Sequence, residues 1–178
     1  GLGYPVRMPN SATILTLGYG TRSVDDLIRT IREAGVTVLV EVRSAPYSKR
    51  RPEFVKRALA EWVPAMGVRY LFAGDALGGM PTDPGSYLRD KLVPERRWKH
   101  PDFVAGIERL RGLLAAGEVA CLMCAEEDPA RCHRFHLLGE ALQAAGVEVR
   151  HLRADGTSAT QAEIRRALDG PQLGLFST

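Results

Sequence analysis

The chain has 178 residues, 45% hydrophobic and 25% charged, and its 24 Lys and Arg against 21 Asp and Glu leave a net charge of +3. That length and apolar content suit one domain with a well-buried core, and so mild a charge names no nucleic-acid or membrane partner by itself. No run is long and apolar enough to span a bilayer, no secretory segment is seen, and three cysteines make no disulfide framework, so a cytoplasmic protein is expected.

Residues 1–13 fit no element and read as an N-terminal extension or remnant, with Met8 a candidate natural start. Ile14–Gly18 reads as a buried first strand that turns at Gly18-Tyr19-Gly20-Thr21-Arg22. Ser23, with Asp26 three residues on, is placed to cap a helix whose apolar face is Val24, Leu27, Ile28 and Ile31, and Gly35 ends it. Val36–Val42 is β-branched and almost continuously apolar, as a parallel strand covered on both faces must be. After the loop Arg43–Ser48, Pro52 opens a second helix bearing Phe54, Val55, Ala58, Leu59 and Trp62, closed by Pro64 and Gly67. Val68–Phe72 is a short third strand, followed by the loop Leu77-Gly78-Gly79.

Residues 80–100 are the least regular part, with a brief helical run expected near Tyr87–Leu92; they read as a lid or an excursion. From Asp102 a helix carries Phe103, Ile107, Leu110 and Leu114 and stops at Gly117. The run Val119–Cys124 has strand length, and turn residues follow it. Asp128 and Pro129 then open a helix bearing Phe135, Leu138 and Leu142 as far as Gly146. Val147–Leu152 is a fifth strand, and Thr160 with Glu163 forms a capping box for a last helix. Strands alternating with helices predict one α/β domain over residues 14–170, three-layered and doubly wound on a mostly parallel five-stranded sheet. Residues 171–178 are left as a tail.

In such a sheet the loops after Gly18, Val42, Phe72 and Cys124 share one rim, where ligands bind. Glu126 lies just past a strand end beside a helix start, which suits a catalytic carboxylate, either a base for water or an anion facing a developing cation. Its plainer use is a loop acid that caps the next helix. Cys124, Cys132 and His133 are candidate catalytic groups too, because a thiol at a helix start near Arg131 and Arg134 has its thiolate favoured. Both thiols could equally be small buried fillers. Cys-x7-Cys-His is not a standard zinc spacing, so no metal and no other cofactor are expected. Cys121 reads as core, and His136 as an ordinary surface or half-buried residue.

For substrate or phosphate the candidates are Gly18, Tyr19, Arg43, Ser44, Ser48, Arg50, Arg51, Gly78, Gly79 and Arg134. Arg43 ends a buried strand and needs a partner: an anionic ligand, Glu126, or a structural ion pair. The glycines would admit a ligand to the backbone, and the tyrosine could stack on a base or fill the core. Two basic groups suit phosphate as well as they suit solubility: Lys49, Arg50, Arg51, Lys56 and Arg57, then Arg96, Arg97, Lys99 and His100.

The runs Thr16–Ser23, Glu41–Phe54, Leu77–Gly79 and Cys124–Arg134 (CAEEDPARCHR) together resemble the domain of unknown function 488 family over roughly residues 14 to 152. Tyr19 stands where that family often has His, and Glu41 where it usually has Asp. The resemblance implies no settled reaction. The tail Gln172-Leu173-Gly174-Leu175-Phe176 resembles the QLxLF peptide that docks on the bacterial β sliding clamp, with Gln172 as polar anchor and Leu173, Leu175 and Phe176 filling apolar pockets.

The function expected from these residues is a DNA-acting enzyme of lesion repair, probing duplex DNA or a flipped nucleotide and tethered to the sliding clamp. Base removal is favoured over strand hydrolysis, since no carboxylate cluster for metals is visible. The alternatives are a cysteine-dependent enzyme for a small molecule or nucleotide, and a non-catalytic clamp-bound module.

Overall fold

The apolar runs of the sequence become the middle of one sheet in the computed structural model, which describes residues 12–170. Its strands are β1 (Thr13–Gly18), β2 (Val38–Glu41), β3 (Arg69–Phe72), β6 (Ala120–Cys124), β7 (Glu148–Leu152) and β8 (Ser158–Thr160), in spatial order β3-β2-β6-β1-β7-β8. All pairings are parallel except β7 with β8. β2 and β6 are buried at every residue, so each needs apolar side chains on both faces. Leu39, Cys121 and Met123 turn to one face, against Leu27 and Ile31 of α1 (Val24–Glu33) and Leu59 and Val63 of α2 (Lys56–Ala65). Val38, Val40 and Leu122 turn to the other, against Phe103, Ile107 and Leu110 of the helix Pro101–Ala115. This is the three-layer α/β architecture expected, and no helix among the described residues is long and apolar enough to cross a membrane.

The caps form as the side chains dictate. Ser23 Oγ accepts from the Asp26 N–H at 3.1 Å. Thr160 and Glu163 complete both halves of a capping box at the start of the last helix, Gln161–Asp169.

Three details depart from the sequence reading. The sheet has a sixth strand, β8, which returns antiparallel along β7. Tyr87–Leu92 is a hairpin, β4 (Tyr87–Leu88) and β5 (Lys91–Leu92), whose turn residues Arg89 and Asp90 have φ of 47° and 62°. Two consecutive left-handed residues make the kind of turn that matches the twist of paired strands, so the segment cannot continue as a helix. The expected helices at Pro52 and Pro129 each begin as a single 3-10 turn, Pro52–Phe54 and Pro129–Arg131, and are then broken by one extended residue, Val55 or Cys132.

Residues 80–100 are held to the body. Arg97, in the short helix Pro94–Arg97, is buried, with Nη1 2.6 Å from Asp83 Oδ1 and Nη2 2.8 Å from the Ala76 carbonyl. That arginine, one of a basic group that suits phosphate or solubility equally, is instead part of the fold. Residues 1–11 and the whole tail 171–178, with Gln172, Leu173, Leu175 and Phe176, lie outside the described residues.

Candidate active site

Four strand ends meet at one rim because parallel strands all point the same way. The pairing runs on past the strands: Val42 N–H donates to Met123 O at 3.0 Å, Tyr19 N–H to Cys124 O at 3.0 Å, and Ala73 N–H to Glu41 O at 2.9 Å. The loops pack tightly enough to require glycine. A Cβ on Gly18 would lie 1.8 Å from the Glu126 carbonyl oxygen, and one on Gly78 2.0 Å from Ser44 Oγ. These glycines admit neighbouring protein to the backbone, where a ligand was expected. Gly20 does the same against the Glu127 side chain.

At the centre lies a pocket of about 410 Å³, lined by Arg43, Ser44, Ala45, Gly79, Met80, Cys124, Ala125, Glu126, Arg131, Cys132 and His133. All four predicted catalytic residues are in it, with three of the ten predicted binding residues: Arg43, Ser44 and Gly79. Ser44 Oγ accepts from the Met80 N–H at 2.8 Å and so ties two walls together.

On one wall two thiols face an imidazole. His133 Nδ1 is 3.6 Å from Cys132 Sγ and 3.9 Å from Cys124 Sγ, and Nε2 is 2.9 Å from the Val42 carbonyl oxygen. A carbonyl can only accept, so Nε2 carries the ring proton and Nδ1 turns its lone pair toward the sulfurs. The Gly79 backbone runs alongside, where a Cβ would stand 3.2 Å from Nδ1. Cys132 also receives Arg134 Nε at 3.3 Å and the Arg134 backbone N–H at 3.5 Å. The bond from the Cys124 thiol, with the Arg134 guanidinium beside it, holds the Cys132 thiol far below its ordinary range despite burial. The same bond and burial push Cys124 up. The pair therefore keeps one proton, on Cys124, and presents a thiolate at Cys132.

On the adjoining wall is Glu126, half-buried, whose Oε1 accepts from the Asp128 N–H at 3.1 Å. That single bond orients the carboxylate and leaves its second oxygen for a ligand. Arg131, at the mouth, is exposed. The sequence reading did not count Arg131, Ala45, Ala125 or Met80 among the binding residues. Arg131 had a signal, its place between the acid and the second thiol.

Of the predicted ligand residues, Arg43 borders the pocket but is bound into the fold, and most of the others serve the fold as well. Arg43 donates Nε to Glu41 Oε1 at 2.6 Å and Nη1 to the Tyr19 hydroxyl at 3.0 Å, and Nη2 reaches the Phe54 carbonyl. Its partner is thus Glu41, itself wholly buried and also bonded by the Tyr70 hydroxyl. Tyr19 is stacked on Phe54 with ring centroids 4.3 Å apart and is core, not a platform for a base. Arg51 is bound to Glu53 at 2.7 Å and to the Gly20 carbonyl at 2.6 Å, and Ser48 accepts from the Arg51 N–H at 3.2 Å. Arg50 is exposed and lies outside the pocket lining. Arg134, taken for a phosphate ligand, is wholly buried.

Behind the thiols runs a buried polar chain that the sequence reading missed. Arg134 Nη1 donates to Thr16 Oγ1 at 3.0 Å, Thr16 Oγ1 lies 2.7 Å from His151 Nδ1, and His151 Nε2 lies 2.8 Å from Gln161 Oε1. Its sequence signal was the inward alternation Val147, Val149, His151 along β7.

Against known proteins, the family described as "Domain of unknown function DUF488" matches residues 23–142. No curated protein and no solved structure matches the chain.

Proposed function

This chain belongs to the DUF488 family, and from that premise we propose that it is a hydrolase acting on a single nucleotide unit in the rim pocket, in the processing of damaged DNA. The observation that carries the reading is Glu126: a carboxylate oriented by the Asp128 N–H, with one oxygen left over, in a pocket that also presents the exposed Arg131. Base removal fits those parts. Glu126 takes a proton from a water as its oxygen bonds to the sugar carbon, the carbon–nitrogen bond breaks, and the proton passes on to the departing base. Arg131 is placed to hold a neighbouring phosphate. The protein works in the cytoplasm, and Gln172, Leu173, Leu175 and Phe176 bring it to DNA by docking on the sliding clamp.

The test incubates wild type and Glu126→Gln with oligonucleotides bearing deaminated, alkylated and oxidised bases. Wild type should release a free base and leave an abasic site, and the variant should be slower by about 100-fold or more at unchanged thermal stability. Deleting residues 171–178 should abolish clamp binding and leave turnover on short oligonucleotides intact. No product from folded wild type across the panel overturns the DNA reading. If product forms at equal rates in the variant, Glu126 is not the base.

The Cys132 thiolate supports a second reading, a cysteine-dependent enzyme for a small molecule or nucleotide. It predicts that alkylating that one thiol ends turnover of such a substrate while DNA stays untouched.

A further inference from the structure

We propose that Cys124, Cys132 and His133 bind one soft divalent cation, zinc foremost, with a further coordination position open to the rim pocket. Sγ of Cys124, Sγ of Cys132 and Nδ1 of His133 all lie within 4.8 Å of one another, a separation that ligands around one small ion share. Two thiols and an imidazole suit zinc and exclude magnesium and calcium, which take oxygen donors.

Three further features point the same way. The imidazole is set in the tautomer a metal needs, Nδ1 free and Nε2–H fixed on the Val42 carbonyl, which is the usual outer support of a metal-bound histidine. Arg134 donates to Cys132 Sγ through both Nε and its backbone N–H, bonds that stabilise a ligating thiolate. The cluster forms a pocket wall, so three protein donors leave room for a water or a substrate atom, as in a catalytic zinc site. The seven residues between the cysteines follow no familiar spacing. Here the loop is folded back by the 3-10 turn at Pro129–Arg131 and by extended Cys132, so sequence distance is a poor guide to the sulfurs' separation.

The ion's part in catalysis rests on the hydrolase reading, whereas its binding does not. In that reading the ion would polarise a water at the open position, and Glu126, which follows Cys124 by two residues and is not a ligand, would take that water's proton as its oxygen bonds to the sugar carbon, the carbon–nitrogen bond breaks and the proton passes to the departing base. A ligated Cys132 is then no free nucleophile, so this inference and the thiolate-nucleophile reading exclude each other.

The experiment uses the full chain, chelated and then titrated with Zn²⁺ alone against a chromophoric chelator. One ion per chain should bind, and it should protect two thiols from iodoacetamide. Cys132→Ser and His133→Ala should each weaken binding by more than about 100-fold, with His136→Ala as the unaffected control. Co²⁺ in the wild-type chain, where no variant needs to fold, should give a thiolate-to-metal charge-transfer band and the visible bands of a tetrahedral ion. Binding of Zn²⁺ equally tight in Cys132→Ser, or Co²⁺ without the thiolate band, overturns the site. Metal binding without hydrolysis overturns only the hydrolase reading; hydrolysis by protein that fails to bind Zn²⁺ overturns only the metal.

Discussion

Arg134 Nε stands 3.3 Å from Cys132 Sγ, and among the described residues no carboxylate pairs with that guanidinium, which is wholly buried. Its other partners are neutral: Thr16 Oγ1 at 3.0 Å and the carbonyls of Glu126 and Glu127. A buried cation needs a counter-charge, and the Cys132 thiolate supplies it. Arg134→Met removes one half and leaves the thiol and two carbonyls short of donors. The variant should lose about 3–5 kcal/mol in urea denaturation, and Cys132 should alkylate more slowly at neutral pH. Arg134→Lys should recover only part of this, because an ammonium cannot span sulfur, hydroxyl and carbonyl as a planar fork does.

His151 sets an acid limit on the fold. Burial first, against the help of Gln161, lowers its pKa to about 4, while in the unfolded chain the ring titrates near 6.5. Between those values the unfolded chain binds a proton that the folded protein refuses. Stability contributed by this residue is therefore full above 6.5 and declines as pH falls toward 4, by on the order of 3 kcal/mol. Urea midpoints from pH 7 to 4 should fall for wild type and fall less steeply for His151→Gln. Parallel slopes for the two proteins would remove His151 from the account.

The three thiols should separate cleanly in metal-free protein. Burial pushes Cys121 up to about 12, the shared proton keeps Cys124 neutral, and Cys132 is the thiolate bordering the pocket. Iodoacetamide followed by peptide mass spectrometry should label Cys132 first, and still at pH 6, with Cys121 modified only on unfolding. Labelling of Cys124 ahead of Cys132 would reverse the assignment of the proton.

How far the sequence reveals this molecule depends on where each residue's partners lie. β2 and β6 were legible because burial on both faces demands unbroken apolar runs, and Ser23 and Thr160 because a cap bonds its own next turn. β8 was not, since Ser158–Thr160 is short, polar and paired on one side only. The hairpin at Tyr87–Leu92 hid because Arg89 and Asp90 take a turn in which Asn-Gly is the usual signal. At the site, Cys124, Glu126, Cys132 and His133 were found because they flank one loop. Tyr19, Arg43, Arg51 and Arg134 carry the same polar groups as ligand residues, but the fold satisfies them with Glu41, Cys132, Thr16 and main-chain carbonyls. A cation in a sequence does not announce whether its anion is a substrate or a neighbour.

Gly18 tests whether the rim is as tightly closed as it looks. A methyl group there would meet the Glu126 carbonyl oxygen at 1.8 Å, its carbon at 2.5 Å and Glu127 Cα at 2.8 Å, all of them main chain that no side-chain rotation can move aside. Gly18→Ala must therefore push the Glu126 loop outward, carrying the carboxylate away from the pocket. A loss of about 1–3 kcal/mol is expected, with turnover and Zn²⁺ affinity falling together because Cys124 lies on the same segment. Gly112, exposed in the helix Pro101–Ala115, has nothing within 4 Å of its would-be Cβ, so Gly112→Ala should stabilise by about 0.4–1 kcal/mol and leave both readouts alone. Equal tolerance of the two alanines in thermal melts would mean that β1 and the Glu126 loop do not touch as described.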